Sequence, residues 1–281
     1  MNRASLIKHI FEKKSYLCIR LDTDLNLLPG SLGKSPKDLL DFNKRIIDCT
    51  KDFCVSYKPN LAFYESLGSS GWKILEETLA YIPSSHFVIA DAKRGDIGNT
   101  SGKYASAIFD YLKADAVTVA PYMGSDSIIP FYEYPERWVV ILGLTSNPGS
   151  KDFQFLTLES GEKLYQKVIS EAKSWGNDAN TMFVVGATHP NELAEIRKII
   201  PNHFMLIPGV GAQGGDLKEI SAFGLTKEAG LLVNVGRSII YASKGNDFEE
   251  AAAKEAEKIH DEMKTYLSMY AFSSCLYCNS R

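Results

Sequence analysis

Eight short runs dense in β-branched and aromatic residues recur along this chain: YLCIRLD (16–22), VSYKPN (55–60), HFVIADA (86–92), AVTVAPY (116–122), WVVILGLT (138–145), TMFVVGAT (181–188), HFMLIPGV (203–210) and LLVNVGRS (231–238). Their starts fall roughly 31 residues apart on average, the length of a strand with its return helix. Several are apolar on both faces, which suits strands of a parallel sheet covered by helices. Between them the sequence predicts helices over Pro36–Lys51, Gly71–Tyr81, Thr100–Leu112, Glu159–Trp175, Pro190–Ile199 and Asp247 to about Leu267, after a first helix in MNRASLIKHIFEKK. Eight successive strand–helix units predict an α/β chain closed into a (βα)8 TIM barrel. The 281 residues suit one such barrel, and no Gly/Ser linker or shift in composition interrupts them. Residues 1–281 are therefore read as a single domain, with the barrel over about 16–267 and a tail, 268–281, of no assigned role.

Composition narrows the function classes. Apolar residues make up 45% and charged residues 23%, which excludes a disordered, collagen-like or disulfide-scaffold chain. The 31 Lys and Arg against 34 Asp and Glu leave a net charge of −3, so there is no general basic surface and nucleic acid is not an expected partner. The longest apolar runs, such as Trp138–Leu144, fall far short of the roughly 18 residues a membrane helix needs. The amphipathic, charged N-terminus has no continuous apolar stretch ahead of a small-residue cleavage site, and a cytoplasmic protein without a membrane partner is expected. Five cysteines, Cys18, Cys49, Cys54, Cys275 and Cys278, form a sparse, odd set best read as reduced thiols. Cys275-x-x-Cys278 has no second Cys or His pair nearby to complete four ligands, so no metal site is expected.

In a barrel of this kind the reacting groups gather where the strands end and the βα loops begin. Those ends carry Asp22, Lys58 with Asn60, Asp91 with Lys93, Tyr122, Thr145 with Ser146, Thr188 with His189, Pro208-Gly209 and Gly236-Arg237. The densest signal is Asp91-Ala92-Lys93-Arg94-Gly95-Asp96. The two-residue strand period turns Asp91 and Lys93 to the same side, into the barrel. Opposite charges within about 4 Å attract by about 4 kcal/mol at an effective dielectric near 20, which favours both charged forms. A buried cation held in this way can stabilise a carbanion and then protonate it. An isolated D-x-K could equally be an ion pair capping the sheet; Asp96 three residues on, with Lys58 and Asp22 on other strand ends, favours a site.

The second signal is Pro208-Gly-Val-Gly-Ala-Gln213-Gly-Gly-Asp216, which contains a literal G-x-G-x-x-G. A dinucleotide fingerprint belongs after the first strand of a doubly wound sheet, with an acid ending the next strand. Here the motif follows the seventh strand, and the eighth ends in Asn, Gly and Arg. Barrels commonly hold phosphate in the loops after strands 7 and 8, and Gln213 and Arg237 fit that role. The plainer alternative is that these glycines only make tight turns and Arg237 is a surface residue.

Taken in order, DAKRGDIGNT, PGVGAQGGD and NVGRSI resemble the orotidine 5′-phosphate decarboxylase family, in particular its longer bacterial form, over roughly residues 16–241. The resemblance implies that Asp22 and Lys58 bind the ribose hydroxyls, with Asn60 as a further polar contact. It implies that Asp91 is the catalytic carboxylate, Lys93 the proton donor, and Asp96 a carboxylate supplied by the neighbouring subunit, with Thr100 reaching the ribose from that same neighbour. Ser146 or Thr145 would touch the pyrimidine edge. Pro208 and Gln213 on one loop, and Gly236 and Arg237 on the next, would line the substrate and grip its phosphate. A homodimer with shared sites and a small nucleotide substrate follow from the same resemblance.

The implied reaction, loss of CO₂ from C6 of orotidine 5′-phosphate to give uridine 5′-monophosphate, leaves an sp² carbanion with no adjacent π system. Nothing in the chain suggests a pyridoxal, thiamine or metal site, so a cofactor-independent mechanism through fixed charges in a dry cavity is expected. One alternative is a metal-dependent sugar-phosphate decarboxylase on the same scaffold, but those relatives hold Mg²⁺ with an acid on the second strand, where this chain has Lys58, and an ammonium cannot ligate a cation. Another is a non-catalytic phosphate-ligand sensor, against which the intact Asp91/Lys93 pair argues.

Overall fold

The computed structural model describes residues 1–187, 190–210 and 215–278. Eight parallel strands close into a barrel in sequence order: β1 (Leu17–Arg20), β2 (Ser56–Lys58), β3 (Phe87–Arg94), β4 (Ala116–Val119), β5 (Trp138–Leu144), β6 (Thr181–Val185), β7 (Phe204–Pro208) and β8 (Leu231–Val235). Closure is made by β1 on β8, with Cys18 opposite Asn234. Every residue of β2, β4, β6 and β8 is buried, as a sheet filled inside and covered outside requires.

The helices in chain order are α1 (Arg3–Lys13), α2 (Pro36–Thr50), α3 (Leu61–Glu65), α4 (Gly68–Tyr81), α5 (Gly98–Ser106), α6 (Ile129–Tyr132), α7 (Ser150–Phe153), α8 (Leu164–Ala172), α9 (Pro190–Ile199), α10 (Leu217–Gly224), α11 (Arg237–Ile240) and α12 (Phe248–Cys278). Sequence logic is plain in α2. Ser35 and Asp38 form a reciprocal capping box, Pro36 opens the first turn, and Leu39, Phe42, Asn43, Ile46, Ile47 and Thr50 make the buried stripe. Phe42 stacks on Phe248 at 5.4 Å between ring centroids, which seats α12 across α2. The short α3 comes so close to α4 that a Cβ on Gly71 would stand 1.8 Å from the Tyr64 carbonyl oxygen, so only glycine fits there.

Several helices depart from expectation. The segment expected over Thr100–Leu112 splits into α5 and a π-helical turn, Ala107–Tyr111. The helix expected from Glu159 starts at Leu164, because Gly161 at φ +85° turns the chain back and Leu158 N–H donates to the Glu162 carbonyl at 2.9 Å. The final helix does not stop near Leu267 but runs to Cys278, through most of the tail. α3, α6, α7, α10 and α11 are additions, each short and lacking a long apolar period.

The N-terminal segment sits at the end of the barrel opposite the site. Trp138 Nε1 donates to the Met1 carbonyl at 3.0 Å, and Arg3 pairs with Glu228 at 2.8 Å. Two buried imidazoles lie at this end. His86 has Nε2 2.8 Å from the Lys51 carbonyl, and His203 packs on Phe183. Burial lowers both from the ordinary imidazole value to about 4. The folded chain therefore disfavours the charged forms, and stability is full above about pH 6.5 and lost as pH falls toward 4. Thermal unfolding midpoints are expected to drop by several degrees between pH 7 and pH 4.5, with a smaller drop in His203→Phe. An equal drop in that variant would remove His203 from the explanation.

Candidate active site

The Asp91 carboxylate is the hub of the strand ends. From β2, Lys58 Nζ donates to Oδ2; from β3 itself, Lys93 Nζ donates to Oδ1 at 2.6 Å; from β4, Thr118 Oγ1 donates to the same Oδ1 at 2.9 Å. Lys58 and Asp91 are buried, with 2% and 8% of their side chains exposed, whereas Lys93 is 49% exposed. The expectation of a buried cation at Lys93 is thus corrected. Lys58 is the buried ammonium, and Lys93 stands at the cavity mouth where a ligand would cover it. Burial alone would raise the Asp91 pKa, but the flanking ammonium groups of Lys58 and Lys93 outweigh it and hold the carboxyl far below its ordinary range.

Asp91 and Lys93 meet as expected, but not through a regular pleat. Ala90 pairs with Val117 and Arg94 with Val119, so three residues, Asp91 to Lys93, stand against Thr118 alone. The bulge is closed by Lys93 at φ +48°, a left-handed conformation that costs a non-glycine residue on the order of 1–3 kcal/mol and persists only where its surroundings impose it. Lys93 N–H donates to Thr118 Oγ1 at 2.9 Å inside this bulge.

Around the cluster opens a cavity of about 360 Å³. Arg20, Lys58, Asp91 and Lys93 form its charged wall; Leu142, Val184 and Leu206 are apolar; Thr118, Thr145, Ser146, Asn147, Pro208 and Asn234 complete the lining. Size and mixed lining suit a small ligand fixed by a few polar groups. A larger surface cavity, about 510 Å³, lies at the opposite end near Arg3 and Arg197. There the Arg197 guanidinium is spent on the carbonyls of Gly224, Ile200, His203 and Gly230, a clamp that ties loops together.

Lys58, Asp91, Lys93, Thr145, Ser146 and Pro208 thus converge on one cavity. Asp22 is buried just beyond β1 and is paired with Arg20. Thr145 is held by Gln154, whose Oε1 accepts from its backbone N–H and whose Nε2 donates to its hydroxyl, both at 2.8 Å. Asn60 does not line the cavity; its side chain caps α3 through the Ala62 N–H at 3.2 Å. Asp96 and Thr100 also stand outside the lining. Asp96 Oδ1 accepts from the Ile97 N–H, and Thr100 is exposed beside Ile97, itself 61% exposed. Gly236 and the exposed Arg237 open α11 at the same end of the barrel, and a Cβ on Gly236 would come within 3.0 Å of the Arg20 side chain. Gln213 lies outside the described residues, as do Thr188 and His189.

Sequence reading missed Arg20, Thr118, Asn147 and Asn234. Two of these carried a signal. Arg20 is two residues before Asp22 and shares its face of the strand, and Asn234 is the polar break in an apolar run, buried with its Oδ1 lacking a partner among the described residues.

A closed barrel whose strand ends hold a Lys–Asp–Lys cluster against a small cavity defines this protein as a barrel enzyme. The chain belongs to the orotidine 5′-phosphate decarboxylase / HUMPS family, whose profile matches residues 15–255. It is 51% identical over 267 residues to the orotidine 5′-phosphate decarboxylase of Phocaeicola vulgatus, covering 94% of this chain and 98% of that one. It is 52% identical to the Parabacteroides distasonis protein of the same name, covering 95% and 96%. Among solved structures, the OMP decarboxylase of Leishmania donovani superposes with a TM-score of 0.80 at 36% identity, covering 94% of this chain and 99% of that one.

Proposed function

We propose that this enzyme decarboxylates orotidine 5′-phosphate to uridine 5′-monophosphate in pyrimidine biosynthesis, with Lys93 as the proton donor. The observation that carries the reading is the Asp91 carboxylate held between two ammonium groups, one buried and one at the mouth of the cavity. When the bond from C6 to the carboxylate breaks, the electron pair left on C6 lies in the ring plane and has no sink. Lys93 Nζ–H⁺ stabilises that developing charge and then transfers its proton to C6, leaving a neutral amine that is reprotonated from solvent. Asp91 fixes the ammonium and stands near the departing carboxylate. The charges are in place before the substrate arrives, so little reorganisation is needed during reaction.

In this reading Asp22 and Lys58 bind the ribose, Ser146 or Thr145 the base edge, and Pro208, Gln213, Gly236 and Arg237 the phosphate end. Asn60 serves by holding α3 beside the ribose site. Asp96, half-buried in one chain, and Thr100, exposed there, complete the site of a second copy in a homodimer. A biosynthetic role of this kind suits a cytoplasmic enzyme. No helix among the described residues is long and apolar enough to cross a membrane.

The test is a direct assay of the loss of orotidine 5′-phosphate absorbance, run with and without EDTA. Turnover that survives exhaustive chelation is expected. Turnover abolished by chelation would favour the metal-dependent alternative, and nucleotide binding without turnover would favour a sensor. Arg237→Ala is expected to raise the KM for orotidine 5′-phosphate by about tenfold to a hundredfold, the range of a lost charge-assisted hydrogen bond. An unchanged KM would count against the phosphate grip.

A further inference from the structure

We propose that Thr118 is a positioning residue for the decarboxylation, its hydroxyl fixing both the bulge that aims Lys93 and the carboxylate that holds the Lys93 ammonium. The inference rests on the reading of Lys93 as proton donor. The Thr118 hydroxyl is fully buried in its bonding role: it gives its one hydrogen to Asp91 Oδ1 at 2.9 Å and accepts the Lys93 backbone N–H at 2.9 Å. One oxygen atom therefore ties the main chain of Lys93 to the group that binds its side chain, which itself reaches the same Oδ1 at 2.6 Å.

The geometry explains why this tie matters. In a regular parallel ladder the N–H of a β3 residue would meet a backbone carbonyl of a neighbouring strand. The bulge takes Lys93 out of register, and its left-handed φ of +48° is one that an L side chain rarely adopts. Thr118 supplies from β4 a side-chain acceptor in place of a backbone carbonyl. It is 1% exposed, so water does not substitute for it. Without the hydroxyl, the Lys93 N–H loses its acceptor and Asp91 loses a neutral donor that helps fix its rotation; the bulge then relaxes toward ordinary strand, and the ammonium moves off the line to the reacting carbon. Binding of nucleotide, which depends on groups at other strand ends, is left in place.

The experiment compares Thr118→Val, which keeps shape and removes both hydrogen bonds, Thr118→Ala, which removes them with less bulk, and Thr118→Ser, which keeps them. Val and Ala are expected to lower kcat for orotidine 5′-phosphate by about tenfold to a hundredfold, the effect of lost hydrogen bonds to charged and strained groups. KM and the Kd for uridine 5′-monophosphate should stay within about threefold of wild type, and Ser should retain kcat within about threefold. A folded Val or Ala variant with near-wild-type kcat, a loss shared equally by Ser, or a loss that falls on KM and Kd instead of kcat would overturn the assignment. Should both Val and Ala fail to fold while Ser is active, the hydroxyl is structural and the assignment is likewise overturned. Wild-type protein inactive toward orotidine 5′-phosphate would instead remove the functional reading on which the inference stands.

Discussion

Lys93→Ala is expected to form uridine 5′-monophosphate at least about 10⁴-fold more slowly than wild type while still binding the nucleotide. General acid catalysis supplies on the order of 10²–10⁴ in rate, and an oriented charge facing the developing anion a further 10²–10³. In the proposed mechanism both roles fall on one ammonium, so both vanish together. Binding survives because Lys58, the base-edge groups after β5 and the phosphate end are untouched. The variant should also fold: half of the Lys93 side chain is already exposed, and Asp91 keeps its Lys58 and Thr118 partners. A variant retaining more than about a tenth of wild-type turnover would refute the proton-donor role, because no other cation of the wall is placed to take over a step worth that much.

Mixing inactive Lys93→Ala and Asp96→Ala chains is expected to restore about a quarter of wild-type activity. If each site combines Lys93 of one chain with Asp96 of the other, a heterodimer holds one intact site and one doubly defective site. Random exchange makes about half of the dimers hybrid, and each hybrid works at half strength. The structural ground is the position of Asp96 and Thr100. Both stand outside the cavity of their own chain, on either side of the exposed Ile97, with Asp96 just before α5 and Thr100 in its first turn. No recovery despite proven subunit exchange would show that each chain carries its own complete site.

The barrel was legible because its strands are buried on both faces and therefore read as continuous apolar runs, at a spacing no other common fold repeats eight times. All eight runs became strands, and α2 and α9 began at the expected prolines. The charged strand ends were legible for the same reason, since Asp91 and Lys93 interrupt an apolar run where the fold puts its chemistry. What could not be read was geometry set across strands. The bulge at Lys93 is imposed by β4, and no local pattern in β3 announces a left-handed lysine. Thr118 looks in sequence like any β-branched residue of a buried strand; only its neighbours show that its hydroxyl is used twice. Arg20 was overlooked because an arginine inside a strand is more often a surface residue, and here it turns inward to Asp22. The short helices escaped because four or five residues carry no period; α10 did so because the glycines before it read as a loop.

The position of one atom relative to another tests the whole scheme. In a crystal structure with uridine 5′-monophosphate bound, the Lys93 nitrogen should lie about 3–3.5 Å from C6 of the pyrimidine, the contact from which a proton can pass. A nitrogen directed to bulk solvent, or a nucleotide seated with C6 facing another donor, would contradict it.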